Sequence, residues 1–193
     1  SLAANTFYHY RSVASNRVAN TWSGTTDYWT QSTNPLGRYV PASGAGILDG
    51  TSWVNAYAGL PRALEDCTCP GDTVYVQYGT YLQNSNLNLS SLPGAIVAGG
   101  YAGTGSPGDR TNEPTVFSRV VDKYIRIFYG QATTVTLDRI TIEGGSLTMP
   151  DDDGAGLYFT GNSSVTLTNC LVRNNTLNVE WTEDGAGLFI AAC

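Results

Sequence analysis

The stretch VTLDRITIEGGSL (Val135–Leu147) returns 30 residues later as VTLTNCLVRNNTL (Val165–Leu177). Val135 falls on Val165, Leu137 on Leu167, Ile140 on Cys170 and Ile142 on Val172. Self-similarity at a fixed period of this length marks a stacked repeat architecture. Inside each copy the apolar residues alternate, the period of a strand with one face buried. The polar pairs Asp138-Arg139 and Thr168-Asn169 break the alternation, so the chain turns there between two short strands. A third strand follows: DDDGAGLYFTGN (Asp151–Asn162) is echoed by EDGAGLFIAAC (Glu183–Cys193), with the two DGAGL segments offset by 31. Three short strands per repeat of about 30 residues predict an all-β chain wound as a parallel β-helix. No coil of such a fold buries its inner face alone, and stacking makes the core continuous.

Upstream, Asp72–Tyr81, Gly94–Tyr101, Pro114–Ser118 and Tyr124–Gly130 fit degenerate coils. Before them, Trp53, Tyr57, Leu60 and Leu64 recur at helical spacing, which predicts a short capping helix near residues 52–66. Such a helix would cover strand edges at the start of the stack. Pro61 suits its first turn. Residues 1–37 are polar and aromatic-rich, without a clear period. They read as an N-terminal extension, either a lateral flap or an arm on another molecule, with residues 38–193 forming the β-helix.

Composition narrows the function. The chain has 193 residues, enough for one domain with a core, and a net charge of -6. The absence of a basic patch argues against nucleic acid, and no apolar run reaches the roughly 18 residues of a membrane span. The sequence starts at Ser1 without Met, which fits removal of a signal peptide or a tag. Sequons at Asn88, Asn162 and Asn174 fit an exported protein. They are glycosylation candidates, although a Thr/Ser/Asn-rich β chain produces such triplets by chance. Of the four cysteines, Cys170 falls on an inward apolar position. Cys67, Cys69 and Cys193 are the disulfide candidates for an oxidising compartment, with their pairing open.

The segment YVPASGAGILDGTSWVNAYAGLPRALEDCTCPGDTVYVQYGTY (Tyr39–Tyr81) resembles the opening of bacterial secreted and surface right-handed parallel β-helix repeat proteins. In that family a strand, a DG-S-SWANAY turn, an L..AL helix and a PGDTVYVAAGTY strand follow in this order. GGYAGTGSPGDR (Gly99–Arg110) looks like the family's GGFAGTE…RD loop. TLDRITIEGG and GAGLYFTGNSSVTLTNCLVRNN look like its standard coils. The resemblance covers Tyr39 to Cys193. It implies a right-handed β-helix of the pectate-lyase-like, adhesin-type kind, and export. It implies little about activity, because this superfold carries lyases, hydrolases, adhesins and passive stalks. Two departures stand out: family members usually continue for many more coils, and the aromatic extension lies outside their usual start.

The acidic cluster Asp151, Asp152 and Asp153 recurs as Glu183 and Asp184. Residues one coil apart stack about 4.8 Å from each other. Asp153 and Asp184 are therefore the alternative catalytic pair for a polysaccharide lyase or glycoside hydrolase, whose retaining forms space two carboxylates about 5–5.5 Å apart. The same five acids are an alternative calcium site. The plainest reading is that Asp-Gly forms the turn before the strand, and then neither catalysis nor a cofactor is involved. Arg139 and Arg173 are not in register for a lyase, and the vertical pairs Glu143/Arg173 and Arg139/Asn169 read as surface ladder contacts. Asp109 and Arg110 read as a salt bridge. His9, the only histidine, lies in the extension.

Three functions follow as expectations. The first is a non-enzymatic extracellular structural subunit that stacks head-to-tail with copies of itself into a surface fibre. Its contact residues would be Leu188, Phe189 and Ile190 at the C-terminal coil and Tyr8, Tyr10, Trp22, Tyr28 and Trp29 in the arm. The second is a carbohydrate-active enzyme or glycan-binding adhesin module. In the third, the sequence is the N-terminal part of a longer adhesin.

Overall fold

The computed structural model describes residues 7–10, 13–15, 20–22, 26–29, 36–42, 48–149, 153–178 and 185–191. The chain divides into two compact units, Ser1–Pro35 and Leu36–Cys193. In the first, β1 (Phe7–Tyr10) pairs antiparallel with β4 (Thr26–Trp29), and β2 (Val13–Ser15) with β3 (Asn20–Trp22). The aromatic extension is thus built of short antiparallel strands, a pattern its sequence does not announce.

The second unit opens with β5 (Gly37–Val40) and a single short helix, α1 (Leu60–Glu65). Then come β6 (Thr73–Gln77), β7 (Gly79–Gln83), β8 (Leu87–Asn88), β9 (Pro93–Tyr101), β10 (Thr115–Arg119), β11 (Phe128–Gln131), β12 (Thr134–Asp138) and β13 (Ile140–Glu143). The last strands are β14 (Ser146–Leu147), β15 (Leu157–Thr160), β16 (Ser164–Thr168), β17 (Leu171–Arg173), β18 (Thr176–Leu177) and β19 (Leu188–Ile190). Strands β5, β6, β9, β12 and β16 form one parallel sheet, β7, β10, β13 and β17 a second, and β8, β11, β15 and β19 a third. From β6 onward the chain visits the three sheets in the same rotation, one circuit after another. We call each circuit a rung. The fold is all-β and dominated by parallel sheets.

Register follows the sequence repeat where the repeat is clean. Val135 pairs with Val165, Leu137 with Leu167 and Ile142 with Val172, while Leu157 pairs with Leu188. Earlier rungs depart from 30 residues: Val74 pairs with Val97, and Val97 with Leu137. Loop 102–114 is the visible cause of one long circuit. It folds onto the outer face of the first sheet, where Trp53 Nε1 donates to the Pro107 carbonyl at 2.8 Å.

Inward side chains form vertical columns. The second sheet contributes Tyr81, Phe117, Ile142 and Val172, and the third Leu87, Phe128, Leu157 and Leu188. All but the last of each column belong to one buried cluster. The corners between sheets recur as well. Ser91, Ala132 and Asn162 each adopt positive φ two residues before a first-sheet strand, and Arg139 and Asn169 do so between the first and second sheets. Gly154 and Gly185 have φ of 63° and 64°, and a Cβ at either would overlap a carbonyl oxygen of its own turn. A Cβ on Gly156 would collide with the backbone of Gly187 in the adjoining rung. The two glycines of DGAGL are therefore required for different reasons, one by handedness and one by close approach.

Helix α1 is shorter than the 52–66 window. Gly59 precedes it in extended conformation, and Pro61 sits in its first turn. Trp53 and Tyr57 are not on the helix, and their spacing reflects a turn. Trp53 joins Tyr39, Ala56, Ala98 and Tyr101 outside the first sheet, whereas Tyr57 belongs to the interior cluster with Leu60, Ala63 and Leu64. The helix packs on β5, β6 and β8.

Asp72 fastens this region. Its carboxylate is buried and accepts the N–H groups of Leu36 at 2.8 Å, Thr68 at 2.9 Å and Cys69 at 2.8 Å. Three charge-assisted bonds thus join the entry to β5, the turn after α1 and the start of β6. Asp72→Ala should lower the unfolding free energy by about 2–4 kcal/mol, because it strands three donors. A lower urea midpoint at unchanged slope checks this.

Cys67 lies beside this carboxylate. Its thiol is buried, hydrogen-bonds the Ala63 carbonyl at 3.3 Å and is free. Burial, reinforced by Asp72, pushes the thiol from 9.0 up to about 12. Below pH 9 the group is neutral in both states and its contribution is intact. Between pH 9 and 12 the unfolded chain ionises first, so stability falls with rising pH. Urea midpoints at pH 8 and pH 11 should differ in that direction, and Cys67→Ala should shrink the difference.

Candidate functional site

Burial changes abruptly at the last rung. Leu157 and Phe159 are 0% exposed, whereas their partners one rung on, Leu188 and Ile190, are 39% and 53% exposed. Val165, Leu167, Cys170 and Val172 are only partly buried against the core. Strands β16, β17 and β19 are the outermost members of the three sheets, so their outer edges have no strand partner among the described residues. Unpaired, in-register edges beside exposed apolar side chains form a template for another strand. Complete burial of one aliphatic side chain is worth about 1.5–3 kcal/mol, so a covering rung would recover part of that at each of several positions.

The outer surface of the third sheet carries an aromatic ladder. Tyr129 and Tyr158 stack at 5.7 Å and 7°, and Tyr158 and Phe189 at 5.2 Å and 13°. Arg126 lies 4.6 Å from the Tyr158 ring centre, and its Nε donates to the Asp153 carbonyl at 2.9 Å. Ring faces here are turned toward neighbouring rungs. That geometry stabilises stacking between rungs.

The acidic ledge is seen only at Asp153, which is half-buried just before the Gly154 turn. Asp151, Asp152, Glu183 and Asp184 lie outside the described residues, as does Cys193. Among the described residues no three His, Cys, Asp or Glu side chains converge as metal ligands. Cys67 belongs to the α1 packing, and Cys69 contributes its N–H to Asp72. The side chains of Tyr8, Tyr10, Trp22, Tyr28 and Trp29 also lie outside what is described. Asn88, Asn162 and Asn174 are all exposed. Asn162 and Asn174 occupy positive-φ corners, which explains Asn there without any glycan.

Charged pairs sort into ladder contacts. Arg173 Nε bonds Glu143 across one rung at 2.6 Å, as the register of the repeat predicts. With both groups partly solvated, the pair is worth about 0.2–1 kcal/mol. Asn169 Nδ2 reaches Asp138 at 3.4 Å, and Arg139 turns away to the Thr111 carbonyl at 2.7 Å. Arg110 pairs with Asp138 at 2.5 Å and lies 4.9 Å from the Tyr101 ring centre, so its partner is not Asp109. The reason is tertiary: loop 102–114 folds Arg110 across the end of β12.

At the other end, a cleft of about 290 Å³ is lined in part by Leu64, Glu65, Asn86, Asn88 and Ser90. Its amides are engaged by the backbone: Asn86 Oδ1 accepts the Arg126 N–H of the next rung at 3.1 Å, and Asn88 Oδ1 accepts the nearby Ser90 N–H at 2.9 Å. This end also differs in charge. The column Leu167, Leu137, Val97, Val74 finishes at Arg38, whose Nε is buried 3.9 Å from Asp66. Tyr57 also donates to Asp66.

A scan against protein-family models, a search of curated proteins and a search of solved structures each return no match to this chain.

The outward ladder pair is a mild stabiliser on this geometry. Glu143→Gln should lower stability by less than about 1 kcal/mol, and the loss should vanish in high salt. Urea midpoints at low and high sodium chloride measure both.

Proposed function

We propose that the protein is a right-handed parallel β-helix, closed at its N-terminal end by α1, and that it serves as a non-enzymatic structural subunit outside the cell. In this reading it associates with copies of itself through its last rung. The observation that supports the reading is that β16, β17 and β19 have no strand partner on their outer edges among the described residues, with Leu188 and Ile190 exposed beside them. Right-handed winding is supported by the strong preference of connections between neighbouring parallel strands for that hand. The extracellular setting rests on the sequence resemblance, and the pectate-lyase-like, adhesin-type kinship is part of the same proposal. Stacked side-chain ladders and turn-forming glycines support a scaffold whose residues serve rung-to-rung packing.

Self-association should be driven by apolar burial and edge pairing, so it should survive high salt and strengthen in sulfate. Light scattering across a concentration series should give a mass that rises above one chain. A mass fixed at one chain up to about 1 mM, where a contact of about 4 kcal/mol registers, would remove the proposal.

A further inference from the structure

We propose that the cleft between α1 and β8 is a binding site for a neutral pyranose sugar. This goes beyond the self-association proposed above and does not rest on it. The cleft holds about 290 Å³, close to the lower end of small-molecule sites at roughly 300 Å³. Helix α1 brings Pro61, Leu64 and Glu65 to it, and the segment through β8 brings Asn86, Asn88 and Ser90. The polar groups of that segment are set in one sense. Leu87 and Leu89 are buried, and their N–H groups donate to Ile127 and Tyr129 in the next rung. Asn86, Asn88 and Ser90 alternate with them and therefore face outward. Each spends an acceptor on backbone. Asn86 Oδ1 takes the Arg126 N–H at 3.1 Å, Asn88 Oδ1 the Ser90 N–H at 2.9 Å, and Ser90 Oγ the Gln131 N–H at 3.1 Å. An amide whose oxygen is engaged presents its NH₂ group to whatever enters, and Ser90 keeps its O–H.

Glu65 supplies the opposite function. Its Oε2 is held by Arg62 Nη1 at 2.7 Å, which leaves Oε1 to accept. Oriented donors on one side and an acceptor on the other match hydroxyl groups, because a hydroxyl accepts and donates at once. Pro61, Leu64 and Leu92 add apolar surface for the C–H face of a pyranose ring. The Glu65 carboxylate disfavours an anion, and the amide NH₂ groups disfavour a cation. No aromatic side chain is among the described residues that line the cleft, so a planar base has no ring to stack on. The donors are fixed by rung-to-rung and turn bonds that form with the fold itself, so a sugar meets them already ordered.

The test is saturation-transfer NMR with a titration of amide shifts on the 193-residue chain. The probes are D-glucose, D-galactose, D-mannose and N-acetyl-D-glucosamine, with D-glucuronate as the charged comparison. At least one neutral sugar should bind with a Kd of about 1 mM, the strength expected of so small a ligand. Glucuronate should bind at least about 5-fold more weakly, and Glu65→Gln should narrow that gap. Asn88→Asp keeps an oxygen for the Ser90 N–H and replaces the NH₂ donor with an acceptor. It should weaken the neutral sugar about 10-fold or more. Asn86→Asp makes the same exchange beside the Arg126 N–H and replaces Asn88→Asp if the latter fails to fold. Glu143→Gln, on the second sheet, should change the Kd by less than about 2-fold. No transfer from any neutral sugar at about 20 mM overturns the proposal. Binding indifferent to the Asn→Asp exchange overturns the cleft as the site. Glucuronate bound as tightly as the best neutral sugar overturns the ligand class. The readout is sugar binding, so a chain that remains single in solution removes the self-association reading and leaves this one standing.

Discussion

The inner face of one rung is covered only when a second rung lies on it, and this requirement governs the rest of the molecule. Leu157 and Phe159 are fully buried because Leu188 and Ile190 follow, and these two stay partly bare because no described strand follows them. Covering works only in register, since a slip of one residue would turn every inward side chain to solvent. The corners keep the register. Positive-φ residues recur two positions before first-sheet strands, so each circuit re-enters its sheet at the same height. Gly156 lets two backbones approach where any side chain would hold them apart. The stacked Tyr129, Tyr158 and Phe189 repeat that spacing on the outside.

A stack held by nearest-neighbour contacts is stable where neighbours lie on both sides and weakest at its ends. The two ends here meet that condition differently. The first end is tied by polar links: Asp72 gathers three N–H groups, and Asp66 takes Tyr57 and lies near Arg38. These groups give strand β5 and helix α1 fixed partners beside the interior cluster. The last rung has one neighbour and no comparable polar fastening among the described residues. It should exchange its amides fastest within the second unit unless something covers it.

The later rungs were legible in the sequence because nothing interrupts them. Val135 with Val165, Ile142 with Val172, Leu157 with Leu188 and the Glu143–Arg173 bond all follow from one offset. The early rungs were harder to read, since insertions such as loop 102–114 hide the period. Trp53 and Tyr57 imitated a helical face because four residues of turn give the same spacing as one helical turn. Arg110 finds Asp138 through a folded loop, a contact that local sequence does not encode. The positive φ of Arg139 could not be anticipated either, because arginine is not a residue that signals it. The strand at Leu188 to Ile190 was legible from the echo of DGAGL, whereas the inward place of Arg38 was not. Arg38 becomes an inward residue only once β5 is paired with β6.

That last point bears on how the two ends of the described stack are specified. Arg38 is costly to strip of its carboxylate, so the first end holds it beside Asp66, and the neighbouring bonds to Asp66 and Asp72 fix β5 and α1 together. Apolar burial has no direction of its own. The later rungs are therefore specified by geometry: strand length, alternation and the height at which each corner turns.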